Sequence, residues 1–116
     1  MATDPQCLFC RIVSGEIPAD IVHETDTTVA FRDIEAQAPT HVLVIPRSHH
    51  PDAAALAAAK PDVLVDLFRA AASVTEDEGL VDGYRLVLNT GPAAHQTVFH
   101  AHLHVLGGRS MGWPPG

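Results

Sequence analysis

His100-Ala101-His102-Leu103-His104-Val105-Leu106 alternates imidazole and aliphatic side chains from His100 to Val105. In a β-strand, residues two apart share a face. The stretch predicts a strand over 100–106. Ala101, Leu103 and Val105 turn to a core, and His100, His102 and His104 project together from the opposite face. Three imidazoles at period two are unusual on a strand unless that face has a task.

Working outward, YRLVLN (84–89) reads as the preceding strand, with Asn89 near its end. Before it, Pro61 opens a helix that runs to about Glu78. Its Val63, Leu64, Leu67, Phe68, Ala71 and Val74 recur at helical spacing as one apolar stripe. Gly79 and Gly83 end it. Pro51 to Ala59 is rich in Ala and reads as a short helix with Asp52 at its start. HVLVI (41–45), closed by Pro46, is a nearly continuous apolar run and reads as a buried central strand. IVHET and VAFRDI form a hairpin across Asp26-Thr27-Thr28. CLFCRIVSG makes one or two helical turns that stop at Gly15. The order is small helix, three strands, two helices, two strands. This is an α+β pattern: a five-stranded antiparallel sheet with two main helices segregated from it.

The chain has 116 residues, the size of a single domain, 1–116. Its formal charge is -7, from 14 acidic against 7 basic residues, which excludes a basic stripe for nucleic acid. No run of about 18 apolar residues exists, so no membrane span is expected. The opening MATDPQCLFC lacks the basic and apolar regions of a signal peptide. Two Cys make no disulfide framework, and a reducing, cytoplasmic home is expected.

Imidazoles on one strand face suit two chemistries. Two of them can chelate zinc. Alternatively, imidazole is a good nucleophile near neutral pH and attacks phosphorus or acyl carbon, helped by neighbours that fix its tautomer. Asn89-Thr90-Gly91 and Gln96-Thr97 add neutral donors around a Gly turn, which favours a phosphate ester. Cys7-Leu8-Phe9-Cys10 has metal-ligand spacing. A redox pair and two free structural thiols are the other readings of it. His49-His50 and His100 could complete a zinc set.

HAHLHVLGGR (100–109) resembles the signature of the histidine triad family. The likeness extends to Gly15-Glu16-Ile17-Pro18-Ala19, Phe31-Arg32-Asp33-Ile34, the stretch Ala38 to Pro46, Gly83-Tyr84-Arg85, Asn89 and the ending Gly107 to Gly116. Together these look like the nucleoside phosphoramidate hydrolase branch. The resemblance implies a HIT-like fold whose sheet continues across a homodimer. It implies binding of a purine nucleoside monophosphate and cleavage of a P–N bond at the α-phosphorus, with adenosine preferred. By position, His102 is the nucleophile and His104 holds a phosphate oxygen. His41 and His100 complete the imidazole cluster. Asn89, Gln96 and Thr97 contact the phosphate or leaving group, and Asp33 accepts from the ribose. Phe9, Ile12, Phe31 and Ile34 line a base pocket, although Phe9, Ile12 and Phe31 are equally good ordinary core. The same resemblance implies a structural zinc on Cys7, Cys10, His49 and His100, with no metal needed for the chemistry. The phosphate loop departs from the commonest pattern of the branch. It reads His95-Gln96-Thr97-Val98 where many relatives have Gly-Gln-Ser-Val. Thr97 keeps the hydroxyl, while His95 replaces a small residue. A dinucleoside polyphosphate hydrolase and a nucleotide-binding interaction module with little turnover are the alternatives. The Trp113-Pro114-Pro115 tail and the intact histidines favour the phosphoramidase.

Overall fold

The apolar run at 41–45 lies in the middle strand of the sheet. The protein's structure, a computed structural model, describes residues 3–116; the first two residues of MATDPQCLFC lie outside it. In chain order it contains α1 (Leu8–Val13), β1 (Ile21–Glu24), β2 (Thr28–Arg32), β3 (Thr40–Pro46), α2 (Ala53–Ala59), α3 (Pro61–Asp77), β4 (Tyr84–Val87) and β5 (Leu103–Gly107). A 3-10 turn at Pro92–Ala94, not expected from the sequence, interrupts the loop between β4 and β5. The strands form one antiparallel sheet in the order β1-β2-β3-β5-β4, which is the α+β, five-stranded arrangement expected.

Period-two alternation splits the core into two layers. Ala30, Val42, Val44, Leu103 and Val105 face α2 and α3, where they meet Leu56, Leu67, Ala70, Ala71 and Val74. Val29, Phe31, Leu43 and Ile45 face the other way and pack on Phe9 and Ile12 of α1. Every residue of β3 is buried, as a central strand covered on both faces requires. Asp52 caps α2 by accepting the Ala55 N–H at 2.8 Å. Gly15 stops α1 with φ +82°, a left-handed turn that only glycine adopts freely.

Three expectations need correction. The last strand starts at Leu103 and not at His100. β3 pairs with β5 only as far as Val44 opposite Leu103. Beyond that point Pro46 has no N–H to offer, and its carbonyl goes to the His100 ring instead. β4 likewise ends at Val87, which leaves Asn89 in a loop. On α3, Phe68 is exposed and Ala70 takes its place on the buried stripe. The stripe Leu67, Ala70, Ala71, Val74 follows i, i+3, i+4, i+7, and Phe68 lies on its flank.

Leu67 is wholly buried at the centre of this stripe. Leu67→Ala should destabilise the protein by about 2–5 kcal/mol, read from urea unfolding. A loss under half a kcal/mol would show that α3 does not carry this core.

Candidate active site and metal-ligand cluster

The β3–β5 register places Leu43 opposite His104 and His41 opposite Leu106. His41 and His104 are therefore diagonal neighbours on one face, within reach of side-chain contact. His41 Nε2 lies 2.9 Å from His104 Nδ1. The His41 Nδ1 accepts the Gln37 backbone N–H at 3.0 Å. A neutral His41 must then carry its proton on Nε2 and donate it to His104 Nδ1. His104 in turn carries its proton on Nε2. That atom is buried and, among the described residues, has no hydrogen-bond partner. An orphaned buried donor is costly in a folded protein, and it suits an incoming acceptor such as a phosphate oxygen.

His102 is oriented by the opposite device. Its Nδ1–H donates to the His100 carbonyl at 2.8 Å. The hydrogen bond leaves Nε2 with a free lone pair. The rings of His102 and His104 are 4.9 Å apart between centroids, and Phe9 stands edge-on to His102 at 5.1 Å. Asp33 completes the cluster, with Oδ2 3.4 Å from His41 Nε2. Its other oxygen accepts the Glu35 N–H at 2.8 Å, which fixes the turn. Burial pushes the pKa of His41 and His102 below the ordinary imidazole value, against the opposing pull of Asp33. It pushes His104 down to about 4, aided by the neighbouring His102 and His41. At neutral pH the three imidazoles His41, His102 and His104 are neutral donors and acceptors.

The third triad histidine points elsewhere. His100 is fully buried, so it is not on the open face that alternation suggests. Its Nε2–H donates to the Pro46 carbonyl at 2.8 Å. That bond fixes the tautomer and leaves the Nδ1 lone pair facing Cys7 Sγ at 3.5 Å, Cys10 Sγ at 3.6 Å and His49 Nδ1 at 3.2 Å. Cys10 Sγ is also 3.4 Å from His49 Nδ1. A tetrahedron with Zn–N near 2.05 Å and Zn–S near 2.3 Å has N–N edges of about 3.3 Å and N–S edges of about 3.6 Å. The four ligand atoms already stand at such spacings, all within 4.8 Å of one another. Two thiolate sulfurs and two imidazole nitrogens are a zinc donor set. Burial raises the Cys10 thiol pKa, which a bound cation would reverse.

The remaining expected residues are less uniform. Phe9, Ile12 and Phe31 are buried in the second apolar layer, where Phe9 stands edge-on to His100 and His102. Ile34 is 99% exposed next to Asp33. Asn89 is half-buried and Thr97 is exposed. Gln96, expected to touch substrate, is buried with its whole amide committed to the chain. It accepts the Gly91 N–H at 2.8 Å and donates to Pro51 at 2.7 Å and Val98 at 3.2 Å. Its place is to brace the loop. His95 sits at φ 65°, the left-handed region where a glycine would be unstrained. Sequence reading missed the roles of the Gln37 N–H and the Pro46 carbonyl, because backbone groups carry no side-chain signature.

A sheet of this topology with clustered imidazoles on its central strands defines a histidine-triad domain. The chain belongs to the HIT family: a HIT domain model matches residues 14–111. A 14 kDa zinc-binding protein of Zea mays is 46% identical over 116 residues, 97% of this chain and 90% of its own length. The adenylylsulfatase HINT1 of Arabidopsis thaliana is 43% identical over 117 residues, 98% of this chain and 79% of its own. The crystal structure of a HIT family hydrolase from Legionella pneumophila superposes with a TM-score of 0.92 at 46% identity, covering 96% of this chain and all of that one.

The buried neutral histidines predict a pH dependence of stability. His104 titrates near 6.5 when unfolded and at about 4 when folded. Between these values the unfolded chain holds the extra proton, so stability falls as pH drops from about 6.5 towards 4. Above 6.5 this contribution is fully present. His104→Asn should make that part of the profile shallower in thermal unfolding at stepped pH, with His41 and His102 among the groups that keep the remaining slope. An unchanged slope would show that His104 is not the group responsible.

Proposed function

We propose that this protein is an adenosine 5'-monophosphoramidase-type hydrolase. It binds purine nucleoside monophosphates and cleaves the P–N bond of their 5'-phosphoramidates, with adenosine preferred. The observation that carries this reading is the free Nε2 lone pair of His102 beside the unpartnered Nε2–H of His104. One is placed to attack phosphorus, and the other to receive the negative charge that attack puts on a phosphate oxygen.

In the first step, His102 Nε2 bonds to the α-phosphorus and the P–N bond breaks. The departing amine takes a proton through the His41 cluster or the Thr97 hydroxyl. The resulting nucleotidyl-His102 is cationic, because Nδ1 keeps its proton on the His100 carbonyl. In the second step, water attacks phosphorus and gives its proton to the group that protonated the amine, the P–Nε2 bond breaks, and His102 is restored neutral. Asn89 adds a donor to the phosphate, Asp33 meets the ribose, and Phe9, Ile12, Phe31 and Ile34 border the base. The name of the Arabidopsis relative supports attack at an adenylyl phosphorus and favours a second reading with sulfate as leaving group. His102 would do the same work in either case.

The four Cys and His side chains would hold a structural zinc, Cys7, Cys10, His49 and His100 leaving no open position for substrate. The zinc-binding name of the maize relative supports this. When bound, the ion supplies cross-linking of α1 to the sheet and no Lewis-acid step. The whole chain, 1–116, reads as a single domain in a reducing, cytoplasmic setting, consistent with two free thiols. Among the described residues, no helix is long and apolar enough to cross a membrane. A homodimer is supported by β4, an edge strand with unpaired backbone groups, and by exposed Val65, Phe68 and Tyr84.

His102→Ala should lower turnover of an adenosine phosphoramidate at least about 10³-fold, roughly 4 kcal/mol of barrier. Nucleotide affinity should stay within a few-fold. Rapid quenching and mass spectrometry should find the adduct on His102. Near-native turnover in the variant, or an adduct elsewhere, would falsify the mechanism. Parallel assays with adenylyl sulfate and a dinucleoside polyphosphate rank the leaving groups. Sedimentation should show a dimer at micromolar concentration, and a monomer there would remove the shared sheet.

A further inference from the structure

We propose that the Cys7, Cys10, His49 and His100 cluster is a positioning device for the nucleophile. With zinc on these ligands, the peptide plane between His100 and Ala101 is held in one orientation, and that plane sets the tautomer of His102. The proposal rests on the assignment of His102 as nucleophile made above.

A trans peptide is rigid, and its C=O and N–H point to opposite sides. In the plane joining His100 to Ala101, the N–H donates to the His50 carbonyl at 2.7 Å. The C=O accepts the His102 Nδ1–H at 2.8 Å. Both hydrogen bonds belong to one rigid body, so turning the plane breaks them together. No strand ladder holds it, since β5 begins only at Leu103.

What flanks the plane is the ligand cluster. The carbonyl belongs to His100, a ligand itself. The acceptor His50 directly follows His49, another ligand. Both remaining ligands lie on or beside α1, where Phe9 between them forms the edge-on wall against His102. Without an ion, sulfur–nitrogen contacts of 3.4–3.6 Å hold the cluster, and thiols are weak donors. A tetrahedral ion would replace these with four directed bonds. Once the plane is free to turn, Nδ1 of His102 loses its acceptor. The neutral ring can then carry its proton on Nε2, where it blocks attack on phosphorus. The phosphate-facing pair His41 and His104 is anchored separately through Gln37 and does not depend on this plane. The coupling should therefore appear in kcat and not in KM.

The test uses the full chain as purified, after zinc chelation, and after zinc is restored. Metal analysis should give about one zinc per chain before chelation. Imidazole ¹⁵N spectra above pH 7.5 report each tautomer. In the zinc-loaded protein, His102 should be Nδ1–H. Chelation should shift it towards Nε2–H and leave the His41 and His104 signals in place. Single-turnover rate should fall about 10–100-fold with KM nearly constant, as for lost orienting partners of a reactive group. Added zinc should restore both readouts. If chelation unfolds the chain, Cys7→Ser with three ligands left takes its place, and the same two readouts decide. A folded zinc-free protein with an unmoved His102 tautomer and full rate overturns the proposal, as does failure to bind zinc. Should His102→Ala remain active, the nucleophile assignment fails instead. An inactive His102→Ala with a zinc-independent tautomer removes only the positioning role.

Discussion

The register of β3 against β5 is the constraint on which the rest depends. It sets Leu43 opposite His104 and Val44 opposite Leu103. Because side chains alternate, a slip of one residue would send His104 into the α3 layer and Leu103 into the site. The register is held from both sides. Val42, Val44, Leu103 and Val105 are buried against the helices, and Leu43 and Ile45 against α1. Packing of aliphatic side chains on one face thus fixes the 2.9 Å contact of His41 and His104 on the other. Fold and site are two faces of one pairing.

Much of this was legible in the sequence. The apolar run at 41–45 gave a central strand, and the alternation after His102 gave the partner and its inward face. The hairpin, the three helices and their order followed from periodicity and from Gly and Pro punctuation. What alternation could not show is where pairing stops. His100 and His102 have strand spacing, yet they lie before β5, in a segment held by the Pro46 and His50 carbonyls. Backbone acceptors leave no mark in a residue pattern. The same holds for Gln37, whose N–H sets the tautomer of His41. Gln96 shows the reverse case: the amide of a polar side chain in the loop before the triad is consumed entirely by backbone groups, of Gly91, Val98 and Pro51.

Three histidines of one motif consequently occupy three environments. His100 gives Nε2–H to a carbonyl and turns Nδ1 to sulfur. His102 gives Nδ1–H to a carbonyl and frees Nε2. His104 accepts at Nδ1 and leaves Nε2–H without a partner. In each ring one hydrogen bond decides what the other nitrogen can do. The difference lies wholly in which neighbour supplies that bond, so the triad's chemistry is written in its surroundings more than in its residue type.

Electrostatics explain why imidazole suits this setting better than lysine or arginine. The chain carries a formal charge of -7, so an anionic phosphate gains nothing from the overall field. A buried cation would attract it, but would bind ground state and transition state alike. Neutral histidines, held so by burial, offer N–H dipoles without a permanent charge. In the proposed mechanism, positive charge then develops on His102 only as its Nε2 bonds to phosphorus. At that moment the His100 carbonyl accepts from the charged ring, and the field of Asp33 favours its charge. Stabilisation that grows with bond formation lowers the barrier without tightening the grip on product. On that mechanism the cost of burying neutral imidazoles, visible as depressed pKa values, is tied to the catalytic use of the site.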